Sequence, residues 1–85
     1  MEKTKNKVKK VLTNEIITDI PDGEISDTTS LFTELQLDSI QLLQLIASIE
    51  KEFDIHFSGE DLVLDAFENI NSIAKMIEDK KGKDK

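Results

Sequence analysis

The stretch from residue 39 to 53 constrains this chain most. Its apolar side chains recur at three- and four-residue spacing: Leu42, Leu43, Leu45, Ile46, Ile49 and Phe53 fill one broad arc at 100° per residue. A strand would need strict alternation, and none is found here or elsewhere in the chain. Asp38 stands where a cap belongs, and Gln41 follows three residues later as a variant of the capping box. Ile40 and Ala47, with Gln44 beside them, fall outside the middle of the arc. They are apolar groups expected to face away from the core.

Two further helices follow from the same reasoning. Val8, Val11, Leu12 and Ile16 predict an amphipathic helix over residues 3–18, closed by Asp19, Pro21, Asp22 and Gly23. Ile70, Ile73, Ala74 and Ile77 predict a last helix, with Met76 at its margin, Asn69 as its cap and Lys80 and Lys81 at the negative end of its dipole. Ser58-Gly59-Glu60-Asp61 resembles the start of a short helix running into Leu62, Val63 and Leu64. Residues 24–37 form a long connection whose Ile25, Leu31, Phe32, Leu35 and Leu37 should pack on the core, with a turn of helix near Ser30 to Leu35. The expectation is an all-α domain of three long helices and one short one. At 85 residues it is a single domain with a thin stability margin.

Charge and composition remove most functions. The net charge is −7, and between residues 14 and 68 fourteen carboxylates face a single base, Lys51. A nucleic-acid binder needs a basic face, so nucleic acid is not an expected partner. The lysines crowd the two ends: Lys3, Lys5, Lys7, Lys9 and Lys10 at the start, Lys80, Lys81, Lys83 and Lys85 at the finish. They read as flexible, solubilising termini. No apolar run reaches transmembrane length and the start lacks a signal-peptide stretch, so a cytoplasmic chain without membrane insertion is expected. Cysteine is absent and His56 is the only histidine. Asp19, Asp22, Glu24 and Asp27 lack the ligand order of an EF-hand, so no metal site is expected. No set of groups converges as catalysis would require, and the chain is not expected to be an enzyme.

Ser39 stands apart. It follows the cap at the mouth of the best helix, where free N–H groups and the helix dipole favour a phosphate. The local pattern alone favours an ordinary first-turn residue. The run Leu31-Phe32-Thr33-Glu34-Leu35-Gln36-Leu37-Asp38-Ser39-Ile40, with Leu42-Leu43-Gln44-Leu45-Ile46 and Ile49-Glu50-Lys51-Glu52-Phe53-Asp54-Ile55 after it, resembles the modification site of the acyl carrier protein family. Val8-Lys9-Lys10-Val11-Leu12 and Asn69-Ile70-Asn71-Ser72-Ile73-Ala74-Lys75-Met76-Ile77 resemble the first and last helices of that family. The likeness covers roughly residues 5–78 in the right order.

The resemblance implies a four-helix bundle with a long first loop. It implies 4′-phosphopantetheine attached to Ser39, with Asp38 beside it, by a phosphopantetheinyl transferase. The thiol of that arm would hold an acyl or aminoacyl group as a thioester. It also implies a monomer that meets a loading enzyme and downstream synthases or transferases on the helix after the serine, through Ile40, Leu43, Gln44, Ala47 and Glu50. The chain departs from the family in two respects. Many members have Gly where this chain has Gln36, which must adopt an ordinary backbone or accept strain; a slightly different approach to Ser39 is expected. Fatty-acid carriers usually bear acids at the positions of Gln41 and Gln44, and often at Lys51. The resulting face, more apolar than ionic, favours a dedicated carrier for a polyketide, non-ribosomal peptide or related pathway. A housekeeping fatty-acid carrier, a D-alanyl-type carrier for cell-wall aminoacylation and an unmodified helical adaptor are the alternatives.

Overall fold

The computed structural model describes residues 2–83; Lys85, part of the basic C-terminal end, lies outside them. Among these residues there are three α-helices and no strands: α1 (Glu2–Val11), α2 (Ser39–Phe53) and α3 (Ile70–Lys83). The apolar stripes read from the sequence form the core. Val8, Leu12, Leu45, Ile49, Ile70, Ile73 and Ile77 are fully buried, and Phe53 is nearly so. α1 starts where α2 and α3 end: Thr4 bonds Glu78, and Lys7 pairs with Glu52 at 3.5 Å.

The first helix differs from expectation in its last turn. Leu12–Ile16 is a π-helical continuation, with the Ile17 N–H donating to the Leu12 carbonyl at 2.8 Å. Thr13 supplies a reason. Its hydroxyl donates to the Lys9 carbonyl at 3.0 Å, and such back-bonding disturbs the regular ladder. The start of α1, where flexible lysines are expected, is helical from Glu2. Lys5 and Lys9 there reach one carboxylate, Asp27, at 3.2 and 2.9 Å. Those two ammonium groups, Lys9 foremost, hold the Asp27 carboxyl below the usual carboxylate range.

The long connection packs as expected. Ile25, Leu31 and Leu37 are buried, with Phe32 and Leu35 against them. Residues 31–34 form a turn in which the Glu34 and Leu35 amides donate to the Ser30 carbonyl. Two backbone bonds stitch this loop to the entry of α3: Leu31 N–H to Glu68 at 2.8 Å and Asn71 N–H to Asp27 at 3.0 Å. Asn69 caps α3 as read, its side chain accepting from the Ser72 amide at 2.9 Å.

The fourth helix is displaced and shorter than expected. Ser58 to Asp61 form a closed turn, because the Asp61 carboxylate turns back to accept from the Ser58 amide at 2.8 Å. Lys80 pairs with the same oxygen at 2.7 Å and, more than any other group, lowers the Asp61 pKa from 3.8 to about 2. Only Leu64–Phe67 winds, as a single 3₁₀ turn. Phe67 is buried there and meets Phe57 edge-on, with ring centroids 5.8 Å apart.

Candidate functional site

Ser39 is the first residue of α2, and its side chain is exposed. Three local devices hold it there. The Asp38 carboxylate accepts from the Gln41 amide at 2.8 Å, and the Gln41 side chain accepts from the Asp38 amide at 3.2 Å, completing the capping box. The Asp38 carboxylate is thus engaged in the cap. The turn before it is set by Gln36, whose φ of 56° is left-handed. Of the two outcomes open to Gln36, the strained one is realised. That twist returns the chain so that the Leu37 amide donates to the Leu31 carbonyl at 2.9 Å and the Leu37 side chain enters the core.

The amides of Ser39 and Ile40 lie in the first turn, where a helix offers no internal acceptor. Together with the helix dipole they favour an anion bonded to the Ser39 oxygen. The exposed hydroxyl and the open first turn therefore fit a phosphodiester at this position.

Four of the five residues expected on the partner face share one outward strip. Ile40 is 68% and Leu43 64% exposed, and Gln44 and Ala47 are exposed beside them. Leu43 points outward more than its place in the apolar arc suggested. Lys51, also exposed, continues the strip one turn on. Glu50, the fifth, is half-buried at the edge of the helix. Its carboxylate accepts from the Phe57 amide at 2.8 Å, and it fastens the chain leaving α2. Asp54, left-handed with φ 54°, closes the same end.

The sequence reading missed the other half of the apolar surface. Leu62 and Val63 precede the 3₁₀ turn and Leu64 opens it, and the three are 46%, 51% and 66% exposed. They lie across from α2, and a cavity of about 170 Å³ between them is lined by Leu42, Leu43, Ile46, Leu62, Val63, Leu64 and Phe67. The signal was present in the unbroken Leu-Val-Leu run. Three consecutive apolar residues on a 3.6-residue period cannot all face one core.

The family model described as phosphopantetheine attachment site matches residues 15–77. The acyl carrier protein of Buchnera aphidicola subsp. Schizaphis graminum is 33% identical over 78 residues, 92% of this chain and 90% of that protein. The acyl carrier protein of Brachyspira hyodysenteriae is 34% identical over 77 residues, 89% of this chain and 94% of that one. An acyl carrier protein homolog of Mycoplasma pneumoniae is 41% identical over a shorter stretch, 46 residues, 54% of this chain and 49% of that protein.

Proposed function

Because the chain belongs to the acyl carrier protein family, whose members bear a covalent 4′-phosphopantetheine, we propose that Ser39 is its attachment residue. The observation that carries this reading is the exposed Ser39 hydroxyl on the first turn of α2, held by the Asp38–Gln41 capping box. When bound, the group supplies a flexible arm ending in a thiol that holds acyl or aminoacyl cargo as a thioester. The protein's own residues do no bond-breaking. Asp38 and Gln41 fix the start of the helix, Gln36 sets the approach, and the first-turn amides stabilise the phosphate charge. The strip of Ile40, Leu43, Gln44 and Ala47 receives the phosphopantetheinyl transferase and then the loading enzyme and synthases. The chain works as a monomer in the cytoplasm and raises the effective concentration of its cargo at successive enzymes.

A transferase supplied with coenzyme A should add a single phosphopantetheine, read by intact-mass spectrometry. Ser39→Ala should abolish the addition. Modification of the Ser39→Ala protein would move the site elsewhere.

We further propose a dedicated biosynthetic pathway in preference to housekeeping fatty-acid synthesis. Gln41, Gln44 and Lys51 remove negative charge from the outward side of α2, and Leu62, Val63 and Leu64 enlarge the apolar surface next to it. Arginine-rich fatty-acid enzymes should dock weakly there. Loading of the modified protein by such an enzyme should improve in the Gln41→Glu/Gln44→Glu variant. Full loading of the parent at the rate of an acidic fatty-acid carrier would favour the housekeeping role.

A further inference from the structure

The lysines of α1 divide into two sets with different surroundings. Lys5 and Lys9 face the long loop and are paired with Asp27. Lys3, Lys7 and Lys10, at spacings of four and three, share another face of the helix. There they meet Lys81 of α3 around a hollow of about 350 Å³ whose floor is Phe53. The Lys7 and Lys81 ammonium groups lie 5.4 and 5.6 Å from the centre of that one ring. Lys7 has one exposed partner, Glu52, at 3.5 Å. Glu78, the other carboxylate beside the hollow, takes the hydroxyl of Thr4. Among the described residues Lys3, Lys10 and Lys81 have no carboxylate within ion-pair distance.

This arrangement works against the fold. Like charges three and four residues apart on a helix repel. Lys3 also stands in the first turn of α1, the positive end of the helix dipole. A chain with eighteen carboxylates could neutralise these lysines, yet it gathers four of them at one pole. The pole lies at the Phe53 end of α2. The fifteen residues of that helix place it about 21 Å from Ser39 at ~1.5 Å per residue.

We infer that this basic hollow is a second docking site, which takes an acidic segment of a partner protein while the Ser39 face exchanges enzymes. A concave site ringed by four flexible ammonium groups suits carboxylate side chains on an extended segment. A lipid surface suits it less. The large apolar side chains that are exposed, Ile40, Leu43, Leu62, Val63 and Leu64, are none of them among the residues lining the hollow, so nothing there would enter an acyl layer. Phe53 is buried, with the Lys7 and Lys81 ammonium groups over its ring, and offers no free face for a base to stack on. The inference concerns binding at the far pole and stands whether or not Ser39 is modified.

The test is a titration of the full chain with a decaglutamate peptide, followed by amide chemical shifts. Shifts should concentrate at Lys3, Lys7, Lys10, Phe53 and Lys81 and fade as salt rises. Lys3→Gln/Lys10→Gln/Lys81→Gln, which keeps the Lys7 contact with Phe53, should weaken binding at least about tenfold while its melting temperature holds or rises, since repulsion at the pole is relieved. Lys75→Gln, altering an exposed lysine outside both the hollow and the α2 strip, should bind as the parent does. Equal weakening in both variants, or shifts spread over all lysines, would overturn the site. Anionic phosphatidylglycerol vesicles are the second arm. Loss of vesicle binding in the triple variant, with peptide binding intact, would replace the protein partner by a membrane and overturn the proposal as stated.

Discussion

Gln36→Gly should stabilise the protein. A non-glycine residue in the left-handed region carries roughly 1–2 kcal/mol of strain between its Cβ and the following carbonyl. Gln36 sits there with φ 56°, and its side chain is exposed, so its removal sacrifices little packing. Glycine removes the strain but loses more freedom on folding, roughly 0.5–1 kcal/mol. The difference spans about 0–1.5 kcal/mol, centred on a net gain of about 0.75 kcal/mol. For a domain of this size a kcal/mol moves the midpoint by about 4–8 °C, so the central value gives a rise of roughly 3–6 °C. Gln36→Val should move it the other way, since a β-branched residue tolerates positive φ least. Thermal unfolding followed by circular dichroism at neutral pH decides the matter. A Gln36→Gly protein that melts at or below the parent temperature, or a Gln36→Val protein that equals the parent, would refute the claim that this turn is strained. Phosphopantetheine transfer to Ser39 in Gln36→Gly should keep its rate, because the backbone already follows the path glycine prefers.

Other outcomes follow from the same structure. Phe53→Ala should cost about 3–5 kcal/mol, since it empties the end of the core, and a collapse of the melting transition is the readout. Ala47→Glu should impair thioester loading of the modified protein while changing stability by less than ~0.5 kcal/mol; normal loading would remove Ala47 from the docking strip. Leu43→Glu should behave alike, because its side chain is 64% exposed. Acid should loosen the fold in a defined window. Asp61, lowered from 3.8 to about 2 chiefly by Lys80, and Asp27, lowered by Lys9 and Lys5, bind protons more readily unfolded than folded. The contribution of Asp61 is therefore complete above pH 3.8 and is lost as the pH falls toward 2, and that of Asp27 is lost in the same direction. An Asp27→Asn/Asp61→Asn protein should show a smaller drop in melting temperature than the parent between pH 5 and pH 3.

Local signals decided what the sequence could tell. The Asp38–Gln41 box and the Asn69 cap are side-chain-to-backbone contacts over three residues, and both stand where the residue types placed them. The buried stripes of α1, α2 and α3 followed from spacing alone. What escaped depended on residues far apart in the chain. Lys5 and Lys9 of α1 pair with Asp27, about twenty positions away. The turn at Ser58 was read as the start of a helix because Ser, Gly, Glu and Asp suit one equally well. Asp61 instead folds back on Ser58 and is held by Lys80 from α3. Leu43 belongs by spacing to the edge of the apolar arc and by resemblance to the partner face, and it is 64% exposed. Ser39 itself was legible only through the wider resemblance. A serine after a cap is common, and the long loop that presents it carries no periodic signal.

The wide turn at Leu12–Ile16 gives the first helix one residue more than its axial advance uses. The Ile17 amide reaches five positions back to Leu12 where a regular helix would reach four. The side chains on either side of this turn, Leu12 and Ile17, are both buried, so the surplus has been absorbed without turning either out of phase. Asn14, exposed within the turn, is the residue that could be excised. Its deletion would let the Ile17 amide close an ordinary four-residue ring on Leu12 with the flanking side chains in place. This makes the end of α1 a point where the length of the chain can change by one while the buried pattern, and with it the rest of the bundle, stays the same.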